Sequence, residues 1–222
     1  MNFNASLLVP TMRRSWDMAT AMPQTMLIAW LGTMLLGVLC DVGVERSGGT
    51  GSGITLLYGV ATTFIQVWVT RAGLQLAGVE PALPTGNALS LYLQGLLVGL
   101  GIVAGLLLLI LPGLYLFARW YLASVLLVQK GSGRRAAMER SWNMLEAHWP
   151  AALGVGLIMF LLAAGPILIE LTAPGLAIEY GFAWRIASNL VSALGVVGGY
   201  LAAVALYLNI EQPASTLREI FG

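Results

Sequence analysis

Apolar residues along this chain come in long blocks, and the polar positions between them mark where each block ends. Residues 88–111 and 186–208 hold no charged side chain. Each run reaches the roughly 20 helical residues that cross a hydrocarbon layer. Extended along the chain, the pattern predicts six spans, at about 25–42, 54–76, 88–111, 114–129, 151–171 and 185–210. A transmembrane barrel would show short alternating segments with polar lumen positions. Blocks that stay apolar over many turns specify instead an all-α, polytopic transmembrane helical bundle in a single domain.

The breaks are as informative as the blocks. Ser47-Gly48-Gly49-Thr50-Gly51-Ser52-Gly53 is flexible-loop chemistry between the first two spans. The run Glu80-Pro81-Ala82-Leu83-Pro84-Thr85-Gly86-Asn87 cannot continue a helix. Residues 88–128 are too many for one span, and Leu111-Pro112-Gly113 is the expected turn. The fourth span is then short and carries Arg119. Pro166 is expected to kink the fifth span, and residues 172–184 read as a loop.

Two polar segments carry a small internal repeat. Met12-Arg13-Arg14-Ser15-Trp16-Asp17-Met18 matches Met138-Glu139-Arg140-Ser141-Trp142-Asn143-Met144, offset by 126 residues, at five of seven positions. Leu8, Met12, Trp16 and Ala19, like Met138, Trp142, Leu145 and Trp149, fall at helical spacing. The spacing predicts two interfacial amphipathic helices, at about 8–20 and 134–148, with Trp at headgroup depth and Arg toward water or lipid phosphate. They serve either as plain anchoring elbows or as contacts to lipid headgroups or a partner, and Arg13, Arg14, Trp16, Arg134, Arg135, Arg140 and Trp142 are the candidates.

Composition sharpens the class: 58% of residues are hydrophobic and 9% charged, far from the roughly one quarter charged of a soluble domain. A net charge of +1 offers no general attraction for nucleic acid. With six spans, Arg13, Arg14, Arg71, Lys130, Arg134, Arg135, Arg140 and Arg218 share one side, against Arg46 and Arg185 on the other. The excess predicts a cytoplasmic face holding both interfacial helices and both termini. Met1-Asn2-Phe3-Asn4 lacks a basic leader region, so no removable signal peptide is expected. A single cysteine, Cys40, and a single histidine, His148, exclude an internal disulfide and leave no zinc site. No metal or other cofactor is expected.

An ionisable side chain inside a span needs a partner. For Arg119 the expected one is Glu170, with Asp41 the other carboxylate within reach; the use is either structural or a substrate or lipid contact. Small residues four apart, Gly95 with Gly99, Gly101 with Gly105, and Gly195 with Gly199, suggest close helix packing or a homodimer seam. The glycine-rich loops lack the Gly-Lys-Ser/Thr ending of a phosphate-binding loop, and no serine sits in a Gly-x-Ser-x-Gly elbow.

The stretch Leu111-Pro112-Gly113-Leu114-Tyr115-Leu116-Phe117-Ala118-Arg119-Trp120, with Gly131-Ser132-Gly133 and Ala136-Ala137-Met138-Glu139-Arg140-Ser141-Trp142, resembles the bacterial glycerophosphoryl diester phosphodiesterase membrane-domain family and its six-span inner-membrane relatives. The resemblance implies a bacterial cytoplasmic membrane. It covers the membrane module and not the separate phosphodiesterase domain, which holds that family's catalytic groups. The expected role is therefore a non-enzymatic membrane scaffold or accessory subunit contacting lipid or a membrane partner, which would be another protein or a second copy. The alternative is a transporter or lipid-moving protein with a polar path near Arg119.

Overall fold

The computed structural model describes residues 7–48, 51–82, 88–131, 133–173 and 175–212. Met1 to Asn4, Arg218 and parts of the expected loops, at 49–50, 83–87, 132 and 174, lie outside the described residues. The described chain is helical throughout, without strands: α1 (Leu8–Ala21), α2 (Pro23–Arg46), α3 (Ser52–Leu76), α4 (Ala88–Leu108), α5 (Ile110–Arg119), α6 (Ala123–Lys130), α7 (Arg134–Met144), α8 (Trp149–Thr172) and α9 (Gly175–Glu211). Six segments of it are long and apolar enough to cross a membrane: Pro23–Arg46, Ser52–Leu76, Ala88–Leu107, Ile110–Lys130, Trp149–Thr172 and Glu179–Glu211.

The sequence repeat extends into the helix boundaries. Moving Pro23–Arg46 along by the 126-residue offset lands on Trp149–Thr172, and the start of α1 lands on the start of α7. In both copies a proline stands in the first turn of the span, Pro23 and Pro150, where its missing N–H removes no intrahelical bond. Each copy is thus a short polar helix, a proline entry and a long apolar helix.

At the centre lies α9. Every residue from Leu201 to Leu208 is buried, so the helix is enclosed on all sides, by α1, α2, α3, α6 and α8. Trp30 Nε1 of α2 donates to the Leu190 carbonyl, and near the other end of α2 Arg185 meets Glu45. Those pairings run α2 antiparallel to α9. Gly195 and Gly199 of α9 pack against Ala163 and Met159 of α8, antiparallel in turn. A methyl group at Gly195 would collide with the backbone of Ala163. With α2 and α8 parallel, α1, α7 and the C-terminal end of α9 share one end of the bundle.

Three expectations are corrected. The turn between α4 and α5 lies at Leu109, in extended backbone, and not at Pro112-Gly113. Pro112 falls in the first turn of α5, where a helix tolerates it, and Gly113 packs against Gly105 and Leu106 of α4. The expected fourth span at about 114–129 is two helices broken at Trp120 to Leu122; α6 ends on Gly131, whose φ of 59° sets its N–H on the Leu127 carbonyl. The expected loop at 172–184 is helical from Gly175, with the change of direction concentrated at Gly181 (φ 48°). By contrast, α8 continues through Pro166 without interruption.

Candidate functional site

The two Arg-Ser-Trp copies close on the same helix end. Arg14 donates to Asn209 Oδ1 at 2.9 Å, and Asn209 Nδ2 donates to Thr11 Oγ1 at 3.2 Å. Arg140 meets Glu211 at 2.6 Å. Both arginines thereby bring positive charge to the last turn of α9, where the helix dipole favours it. Burial pushes the pKa of Arg14 down from its ordinary value, while leaving a guanidinium that stays charged.

The serines differ. Ser141 is wholly buried and its Oγ donates to the Arg119 carbonyl at 2.8 Å, tying α7 to the end of α5. Ser15 is buried as well, lining the cleft beside α1, and makes no hydrogen bond among the described residues. The tryptophans differ too. Trp16 is 70% exposed and stands at an apolar cleft of about 450 Å³, walled by Met12, Pro23, Trp30, Met159 and Leu194. Trp142 is turned inward, over Arg119.

Arg119 is 4% exposed. Its guanidinium carbon lies 4.3 Å from the Trp142 ring centre and 5.5 Å from that of Tyr115. Tyr115 makes edge contacts with Trp142 at 5.7 Å and Trp149 at 5.6 Å, and Trp120 flanks Trp142. Nε is enclosed without a hydrogen-bond partner. Among the described residues, no carboxylate pairs with Arg119.

The expected Arg119 to Glu170 pair does not form. Tyr115 places Arg119 near Trp149 at the start of α8, and Glu170 stands 21 residues later, roughly 30 Å along a helix. Glu170 instead lines a cavity of about 360 Å³ with Asp41 and Asn189, at the end of the bundle away from α1 and α7. There Asn189 Nδ2 donates to Asp41 Oδ2 at 2.7 Å. Arg119 and the two carboxylates therefore belong to different ends of the molecule.

The glycines divide likewise. Gly101 lies under the Trp120 ring and Gly105 against Gly113, whereas side chains at Gly95 and Gly99 would meet open space. Those two positions form no packing seam within the described chain. Arg13, Arg134 and Arg135 are exposed on α1 and α7. Tyr115, which sequence reasoning passed over, stands one helical turn before Arg119, a spacing that places the two side chains together. Comparison of the chain with family models, with characterised proteins and with solved structures returns no match.

Proposed function

We propose that the chain is a non-enzymatic integral membrane scaffold or accessory subunit whose α1 and α7 end binds the headgroup of an anionic phospholipid. The observation that carries the reading is Arg119, a nearly buried cation held by aromatic rings with no carboxylate paired to it among the described residues. A buried charge without a counter-ion is strongly unfavourable, and a lipid phosphate supplies one through charge-assisted hydrogen bonds. Exposed Arg13, Arg134 and Arg135 add attraction for an anionic leaflet, and the cleft under Trp16 has the apolar lining an acyl chain requires.

In this reading the arginine-rich end faces the cytoplasm of a bacterium, consistent with the bias of basic residues toward that side. The segments that carry the family resemblance, around Arg119 and Trp142, are the ones joined in the cluster. A membrane platform fits that resemblance, with a protein partner or second copy completing the assembly. Detergent-solubilised protein should be stabilised against heat by phosphatidylglycerol more than by phosphatidylcholine, and Arg119→Gln should remove the difference. Equal stabilisation by both lipids would count against the proposal.

The second reading, a transporter or lipid-moving protein, draws on polar side chains between α3, α4 and the α5–α6 turn. Vesicle flux separates it from a scaffold: a scaffold leaves lipid and solute movement at the protein-free rate.

A further inference from the structure

The two copies of the repeat meet different neighbours at matching positions. In the second copy the neighbour is α5. Ser141 Oγ donates to the Arg119 carbonyl at the end of α5, and Trp142 covers the Arg119 guanidinium at 4.3 Å. Trp149 meets Tyr115 edge-on, and a side chain at Gly156 would run into Phe117. Subtracting the 126-residue offset from these four positions gives Ser15, Trp16, Pro23 and Trp30. All four line the apolar cleft of about 450 Å³ in the first copy. A helix end thus fills in the second copy the place that is a cleft in the first.

The first copy keeps the groups that hold such an end. Ser15 is 8% exposed, lines the cleft, and its hydroxyl is neither bonded nor enclosed among the described residues. Its counterpart bonds a carbonyl of the last helical turn, a group that a helix leaves without an internal donor. Trp16 is 70% exposed, whereas its counterpart stacks on a guanidinium. Asp17 replaces Asn143 of the second copy, is exposed, and joins no ion pair among the described residues. It adds a negative charge next to Trp16 in the chain, which favours a cation there. An acyl chain suits the apolar lining but offers Ser15 no acceptor and Trp16 no cation.

We infer that the cleft docks the end of an apolar helix from a partner protein, a helix whose last turn carries arginine over Trp16 and a carbonyl toward Ser15. Trp30 stands where Gly156 admits Phe117, so the docked helix has a small side chain at that level. A second copy of this chain does not supply the helix among the described residues. Its apolar helices with a basic last turn are α2, α5 and α6. Arg46 of α2 lies at the opposite end of the bundle, and Arg119 of α5 and Val125 to Val128 of α6 are buried in their own fold. The inference rests on the scaffold reading, whose partner it locates, with acyl chains holding the cleft until the helix displaces them.

The test uses the full chain in nanodiscs of phosphatidylcholine alone, so that helix docking is read apart from any preference for anionic lipid. The probe is a dye-labelled synthetic peptide of Ile110 to Trp120 with Phe117→Ala, followed by fluorescence anisotropy beside a peptide of the same composition in scrambled order. Wild type should bind the probe saturably and the scrambled peptide not at all. Trp16→Ala should weaken binding about tenfold and Ser15→Ala about fivefold, with the melting temperature of Ser15→Ala unchanged. A probe that also carries Arg119→Gln should bind wild type about tenfold more weakly. Absence of saturable binding to wild type, as for a cleft that takes lipid alone, overturns the inference. Equal affinities in wild type, Trp16→Ala and Ser15→Ala overturn it too, since the probe would then sit elsewhere, as in place of the chain's own α5.

Discussion

The indole of Trp142 lies over the guanidinium of Arg119 at 4.3 Å, so the second Arg-Ser-Trp copy holds the buried cation of the bundle. A cation stacked on tryptophan gains about 0.5–2 kcal/mol according to how far it is desolvated. A double-mutant cycle of Trp142→Leu and Arg119→Gln, read by unfolding in a mixed-detergent titration, should give a coupling energy in that range. Additive effects would show that the two side chains are neighbours without being partners.

Ser141 and its repeat-mate Ser15 separate a bonded from an unbonded buried serine. Ser141→Ala removes the hydrogen bond to the Arg119 carbonyl and should destabilise the protein by about 1 kcal/mol. Ser15→Ala has no such bond to lose and should be within about 0.5 kcal/mol of wild type. Equal losses at both positions in the same titration would contradict the assignment.

Gly195 and Gly99 occupy the same kind of sequence pattern but different surroundings. Gly195→Ala drives a methyl group into the Ala163 backbone and should cost about 1–3 kcal/mol through overpacking of α8 against α9. Gly99→Ala meets open space and should be neutral or stabilising by up to about 1 kcal/mol from helix propensity. Paired melting curves in one detergent check both.

Arg140 and Glu211 are each about a third exposed, so their ion pair is worth no more than about 1 kcal/mol and weakens with salt. Arg140→Ala should therefore lower stability slightly at low ionic strength and imperceptibly in concentrated salt. A loss that persists undiminished at high salt would assign Arg140 a packing role instead.

The spans were legible because hydrophobic block length is a direct consequence of bilayer thickness, and four of the six expected segments coincide with single apolar helices to within four residues. The last begins earlier than expected, at Gly175, and span four is present at Ile110–Lys130 but as two helices with its entry turn displaced. Pro112-Gly113 has turn chemistry, yet the tertiary fit of Gly113 against Gly105 and Leu106 moves the turn to Leu109. The repeat was legible in its seven residues, but its extension to matched helix boundaries shows only in the fold. Arg119 was visible as an anomaly in an apolar run, whereas its partners were not. Charge arithmetic points to Glu170, while the rings that hold it, on Tyr115 and Trp142, carry no formal charge and leave no mark in that arithmetic.

Native mass spectrometry of the full chain, released from nanodiscs containing phosphatidylglycerol and phosphatidylcholine in equal amounts, tests the lipid-binding claim most directly. Wild-type protein should retain phosphatidylglycerol preferentially, and Arg119→Gln should lose that preference while keeping the same charge-state envelope, a sign of an intact fold. Retention of both lipids in equal proportion by wild type, or an unchanged preference in Arg119→Gln, would contradict a headgroup site built on Arg119.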